Sequence, residues 1–186
     1  MRKIIVGLSN HHVNLSREVC DILFGKNYEL KVKRNLKQLG QYACEETVDV
    51  YINNFLIPHV RIIGPCRAYT QVELLERDCI NAHVTPLYSN SGELEGTLPF
   101  TLIGPCGEYK GICGAFIANN HIHFSKNDLE EFGLENGQIV NVKAENGKII
   151  ENVIVKSDDT CVLEFHLNKD DGEVNNINSF DEVEIC

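Results

Sequence analysis

The stretch IANNHIHFS, residues 117–125, sets two histidines one residue apart in an apolar setting. On an extended strand residues i and i+2 face the same way, so His121 and His123 can present two imidazoles to one point. That spacing suits a divalent cation, with zinc the commonest occupant. A second stretch near the start repeats the pattern: Asn10-His11-His12-Val13-Asn14-Leu15-Ser16 aligns with Asn119-Asn120-His121-Ile122-His123-Phe124-Ser125. There His12 and Asn14 share a face and His11 points away. Further on, in TCVLEFHL, Glu164 and His166 share a face. His166 could close a metal site with the first pair, or be a strand residue whose ring is satisfied locally.

The densest polar stretch is RIIGPCRAYTQVELLERD. Gly64-Pro65 makes a turn, and Arg67 follows at once. An arginine there can hold phosphate or carboxylate with two parallel donors, or be an ordinary surface charge. Glu73 is a hard oxygen ligand, a general base or a solvent-facing strand residue. Cys66 and Cys106 occupy matching Gly-Pro-Cys turns, RIIGPCR and TLIGPCG. A thiolate at Cys66 beside Arg67 could act as a nucleophile. Both turns keep the cysteine and only one has the arginine, which favours packing over chemistry.

These residues need strands to aim them, and most of the chain alternates apolar and polar residues as strands do. KIIVGL, YELKVK, TVDVYIN, HVRIIG, QIVNVKA, NVIVKS, TCVLEFHL and FDEVEI all read this way. Two short helices are predicted, one capped by Ser16 and stopped at Gly25, the other capped by Ser125 and stopped at Gly133. Each follows a His motif directly, so the repeated unit is strand, turn, Ser cap and short helix. Two related β-rich halves of this kind suit a mostly β fold of two small barrels with short capping helices.

The chain's 186 residues, 43% hydrophobic and 24% charged, describe a soluble globular protein with a core of useful size. No apolar run approaches the ~20 residues of a membrane-spanning helix. Eight cysteines without a CxxC pair or an export signal point to reduced thiols in a cytoplasm. A net charge of -10 argues against nucleic acid and against anionic membranes as partners. The charge is uneven: residues 1–93 hold 11 basic and 10 acidic side chains, residues 94–186 hold 6 and 17. Lys26, Lys31, Lys33, Arg34 and Lys37 form either a solvated face or a landing place for a polyanionic small ligand.

VGLSNHHVNLS, LGQYACEETV, VRIIGPCRAYTQVE, NSGELEG, IANNHIHFS and LEFHLNKDDGE stand in the order seen in phosphate propanoyltransferases, a family of phosphotransacylases. The resemblance runs from Lys3 to about Asn176. It implies one barrel from residues 1–10 plus 119–186 and a second from 11–118, with a small insertion near 25–45. It further implies a zinc-type, two-metal site between the barrels. Carried over residue by residue, the metal ligands are His12, Asn14, Glu73, His121, His123 and His166, and Arg67 is the phosphate-holding arginine. Ser9 lies in the turn that lines the cleft. The basic cluster at residues 31–37 falls in the insertion, and its Lys33 and Arg34 are expected to meet the phosphates of CoA.

The chain departs from the family's pattern in three places. His11 and Asn120 stand where arginines are usual, and Asn14 stands where the second histidine of His-x-His belongs. Asparagine offers only a neutral amide oxygen, a poorer zinc ligand than imidazole, so one or two zinc ions are expected per chain. The implied reaction exchanges CoA for phosphate on a short-chain acyl group, with acyl-CoA, CoA and phosphate as partners. The alternatives are a metal-dependent thioester hydrolase and a non-catalytic metal- or CoA-binding relative. Acyltransfer through Cys66 is a further rival. Because the sequence starts at its first strand, a free cytoplasmic enzyme is expected rather than one in a microcompartment lumen. A homodimer is left open.

Overall fold

The computed structural model describes residues 3–186. In chain order the first half comprises β1 (Ile4–Ser9), β2 (His12–Asn14), α1 (Arg17–Phe24), β3 (Val32–Asn35), β4 (Tyr42–Ile52), β5 (Phe55–Gly64), β6 (Gln71–Glu73), α2 (Glu76–Asn81) and β7 (Tyr88–Ser89). The second half comprises β8 (Leu98–Ile103), β9 (Glu108–Ala118), β10 (His121–Phe124), α3 (Lys126–Phe132), β11 (Ile139–Ala144), β12 (Ile149–Ser157), β13 (Glu164–Asn168), α4 (Lys169–Asn175) and β14 (Glu182–Ile185). The expected mostly β architecture of two small barrels with short helices is what the chain adopts.

The chain divides into two compact units. Among the described residues the first holds 3–9, 37–39 and 119–186, and the second holds 10–36 and 40–118. The first is a closed barrel in the order β1-β13-β10-β12-β11-β14. In the second, β2 pairs with β5, β5 with β4, β4 with β8, β8 with β9, β9 with β6, and β6 with β2 again, closing a ring of six strands. Strand β3 is added on β4 and β7 on β9.

The two rings have the same pairing pattern. β10 lies parallel to β12 and antiparallel to β13, as β2 lies parallel to β5 and antiparallel to β6. β1 lies parallel to β13 and antiparallel to β14, as β9 lies parallel to β6 and antiparallel to β8. Helices α1 and α3 occupy equivalent places, each opened by the predicted serine. Ser16 accepts from the backbone N–H of Val19, and Ser125 from that of Asp128. The predicted glycine stops at Gly25 and Gly133 are also present.

Period-two alternation decides which side chains enter each core. Ile122 and Phe124 of β10, with Phe165 and Leu167 of β13, are buried in the core of the first unit. Val13 of β2 and Val72 of β6, each followed by a leucine (Leu15, Leu74), do the same in the second. Burying each such side chain contributes about 1.5–3 kcal/mol. A slip of one residue would exchange them for His121, His123, His12 and Asn14, so the hydrophobic pattern fixes the register. The polar residues are thereby all turned to the opposite face of their strands.

Two expectations are refined. YELKVK forms a strand only from Val32 onward, because Leu30 packs on the core while Lys31 bonds Glu46 and Glu45 through its backbone. Helices α2 and α4 were not legible, being short and lacking an apolar stripe.

Candidate functional site

In the first unit β10 and β13 run antiparallel with His121 opposite His166 and His123 opposite Glu164. Both cross-strand pairs project from the face opposite the core, so three imidazoles and the Glu164 carboxylate converge. One ligand nitrogen from each of His121, His123 and His166 lies within 4.8 Å of the others. His121 Nε2 and His123 Nε2 are 3.1 Å apart. The ring centroids of His166 lie 5.1 Å from those of His121 and 4.4 Å from those of His123.

Each ring is held by a neighbour. His121 Nδ1 lies 2.8 Å from the carbonyl oxygen of Asn119, which can only accept, so Nδ1 carries the proton and Nε2 presents a lone pair. His123 is 7% exposed, and its Nδ1 lies 3.2 Å from Cys161 Sγ. His166 Nε2 lies 2.7 Å from Glu164 Oε2. Burial, followed by the charges of His166, His121 and Lys156, drives His123 far below the ordinary imidazole range, so it is neutral at physiological pH. Burial alone would raise the Glu164 carboxyl, but the hydrogen bond and charge of His166, with Gln38 and Lys37, outweigh it and hold the carboxyl below its usual value. Burial pushes the Cys161 thiol up to about 11.

These residues fit a divalent cation. Ligand nitrogens about 2.0–2.1 Å from a tetrahedral ion stand roughly 3.3 Å apart, close to the Nε2 separation here. Metal ligation also needs neutral imidazoles, which burial supplies at His123. Glu164 beside His166 and the Asn119 carbonyl beside His121 are outer partners of the kind metal-binding histidines usually have.

The second unit repeats the frame with other side chains. His12 stands opposite Glu73 and Asn14 opposite Gln71, the registers of His121–His166 and His123–Glu164. His12 Nδ1 lies 3.0 Å from the carbonyl oxygen of Asn10, as His121 does from Asn119. Its Nε2 is 3.5 Å from Glu73 Oε2. Asn14, fully buried, donates from Nδ2 to the carbonyl of Ile63 at 3.0 Å and accepts from Gln71 Nε2 at 3.2 Å. Its amide is therefore committed to the protein at both ends. Gln71 Nε2 also reaches Glu73 Oε1 at 2.9 Å and Ser91 Oγ at 2.8 Å.

That network leads to Arg67. Its backbone N–H donates to Leu15, and its Nη1 donates to Ser91 Oγ at 3.0 Å and, more loosely, to Tyr69 at 3.5 Å. Ser91 is thus a pivot shared by Arg67 and Gln71. Cys66 packs against the core of this unit beside Cys20, whose thiol is pushed up to about 12 by burial and then by Cys66. Cys106 is exposed. His11, one residue from His12, turns instead to Asp78, with Nδ1 3.0 Å from Oδ2. Asn120 makes the corresponding bond to Asp171 at 2.8 Å. Ser9 ends β1 and pairs with Asn168, while Lys33 and Arg34 lie on the exposed strand β3.

The structure thus brings together His121, His123 and His166 in one unit, and His12, Asn14, Glu73 and Arg67 around Gln71 and Ser91 in the other. Sequence reasoning missed Cys161, Gln38, Gln71 and Ser91. Gln71 could have been found from its place one strand step before Glu73, matching Glu164 before His166. The others are joined through long-range contacts that leave no local signal.

The profile of the family described as phosphate propanoyltransferase matches residues 5–178. A phosphate propanoyltransferase of Thermotoga maritima is 40% identical over 185 residues, covering 98% of this chain and 88% of that protein. That of Rhodopseudomonas palustris is 36% identical over 186 residues, covering 99% and 82%. That of Levilactobacillus brevis is 34% identical over 186 residues, covering 97% and 88%. With a profile match across nearly its whole length and relatives at this identity, the chain belongs to the phosphate propanoyltransferase family.

Proposed function

We propose that this chain is a phosphate acyltransferase that exchanges CoA and phosphate on a short acyl group, acetyl or propanoyl, with the help of a bound metal. Family membership gives the reaction class, and the convergence of His121, His123 and His166 is the observation that carries the metal dependence. In the reaction a phosphate oxygen attacks the thioester carbon. The new C–O bond forms, the C–S bond breaks, and CoA leaves as a thiolate that needs little protonation. No covalent enzyme intermediate is required, which accords with the packed setting of Cys66.

Each residue has a role in this reading. Arg67 binds the incoming phosphate through its fork of donors, held in place by Ser91. The histidine cluster would hold a zinc ion, and when bound such an ion polarises the thioester carbonyl as a Lewis acid. His12 and Glu73 are candidates for a second, weaker position, because the Asn14 amide is engaged with Ile63 and Gln71. Ser9, Lys33 and Arg34 are assigned to CoA.

The deciding assay follows acetyl-CoA and propanoyl-CoA consumption by purified protein with and without phosphate, trapping acyl phosphate as the hydroxamate. Phosphate-dependent product is expected, together with at least one bound metal per chain. Free acid formed without phosphate would support the thioester hydrolase instead. Ligand binding without turnover would support a non-catalytic relative.

The charge pair on β3 gives a separate prediction. Lys33→Glu with Arg34→Glu is expected to raise the KM for acyl-CoA about 5- to 10-fold at low salt, with the KM for phosphate unchanged. The difference should shrink as salt is added. Equal KM values in variant and parent would remove these residues from CoA binding.

A further inference from the structure

The outer partner of His123 is a thiol, where a carboxylate, carbonyl or water is usual. We propose that Cys161 is a positioning residue for the metal site, its Sγ fixing which nitrogen of His123 carries the proton and so aiming Nε2 at the cation. This rests on the reading of His121, His123 and His166 as metal ligands.

The tautomers follow from the contacts. His121 keeps its proton on Nδ1, against the Asn119 carbonyl, so its Nε2 is a lone pair. With a cation between the two Nε2 atoms, His123 Nε2 must also be a lone pair. The His123 proton then sits on Nδ1 and needs an acceptor, and Cys161 Sγ is 3.2 Å away. With the proton on His123 Nε2 instead, bonded to His121, Nδ1 becomes the acceptor and the thiol can donate. A thiol serves both states, being a weak donor and a weak acceptor. It does so without placing a charge where Cys161 is only 5% exposed.

The thiol is also held where it can do this. The Cys161 backbone N–H donates to the Asp158 carbonyl, and the Asp158 carboxylate is within hydrogen-bond reach of the thiol, leaving a sulfur lone pair for His123. Thr160 is tied to Asp158 Oδ1 through its N–H at 2.7 Å and its hydroxyl at 2.6 Å. The Thr160 carbonyl accepts from Leu39 N–H. Val162 exchanges two bonds with the Gln38 side chain, at 2.8 and 2.9 Å. Backbone ties thus flank Sγ on both sides, and Gln38 Nε2 continues to Glu164 Oε2 at 3.2 Å.

The test measures zinc affinity on the full chain by competition with a chromophoric chelator. Cys161→Val should weaken zinc binding about 10- to 100-fold, while Cys161→Ser, which keeps a donor and an acceptor, should stay within about 3-fold of the parent. Imidazole 15N shifts of zinc-loaded protein should show His123 protonated at Nδ1 in the parent and in Cys161→Ser. Thermal unfolding in excess chelator checks that the variants fold, and Cys161→Ala replaces the valine should that variant fail. Parent-like zinc affinity in the folded valine or alanine variant overturns the role of Cys161. A parent that binds no zinc overturns the metal reading itself, so the two failures are distinguishable.

Discussion

His123→Ala is expected to abolish tight metal binding and to lower phosphate-dependent acyl transfer roughly 10³-fold or more. Three imidazoles converge in the first unit, and His123 is the most buried of them. Removing it leaves two nitrogens for an ion that favours four ligands, and alanine offers no replacement. The rate loss follows from charge stabilisation: deleting a single preorganised oxyanion donor typically costs 10²–10³ in rate, and loss of the ion removes more than one such interaction. Metal content should fall from about one equivalent to a small fraction of one by elemental analysis. Added zinc should rescue the variant only in large excess. His59→Asn is a suitable control, since His59 is exposed and has φ 53°, a conformation asparagine adopts readily. It should lose neither metal nor rate. Retained metal and parent-like turnover in folded His123→Ala would sink the metal-dependent reading.

Much of this site could be read from single strands. HIHF places two imidazoles on one face by period two alone, and LEFHL places Glu164 beside His166 in the same way. The serine caps of α1 and α3 were legible because an Ncap signal is local. Helices α2 and α4 were not. In α4 only Gly172 is buried, so KDDGEVN carries no helical stripe, and a glycine inside it lowers the helical signal further. The N-cap of α2 is Leu75, a residue with no side-chain acceptor, and the Asp78 carboxylate that accepts from its backbone N–H also bonds His11.

Cross-strand partners were hidden for a different reason. Register is a tertiary outcome, so nothing in TQVE shows that Gln71 will stand opposite Asn14. Gln38 meets Val162 across 124 positions of sequence. The repeat illustrates both limits. Seven residues echo between the halves, yet the shared pattern extends to the direction of every strand pair in two rings of six. Within that common frame the position of His123–Glu164 is held by Asn14–Gln71, an amide pair joined to each other and to the Ile63 carbonyl. The frame is dictated by alternating apolar residues, which both halves keep; the chemistry depends on single outward residues, which each half chooses separately.

Arg67→Ala is expected to raise the KM for phosphate about 30- to 100-fold while leaving the KM for acyl-CoA nearly unchanged. Charge-assisted hydrogen bonds contribute about 1.5–3 kcal/mol each, and one such loss is enough for an effect of this size. The arginine is well prepared for the task. Its backbone is fixed by the bond to Leu15 and a bridge to Ser16, and one guanidinium nitrogen is held by Ser91. Side-chain entropy is thereby lost on folding rather than on phosphate binding. Arg67→Lys should recover only part of the affinity, because an ammonium is a point charge and cannot grip two oxygens in a fixed fork. Ser91→Ala should have a smaller effect of the same kind, about 3- to 5-fold on phosphate KM, by freeing the guanidinium without removing its charge. The measurement is initial velocity against phosphate at saturating acyl-CoA, repeated against acyl-CoA at saturating phosphate. If Arg67→Ala lowered kcat alone and left the phosphate KM in place, the arginine would not be the phosphate anchor, and its bond to Ser91 would be one more tie in the Gln71 network.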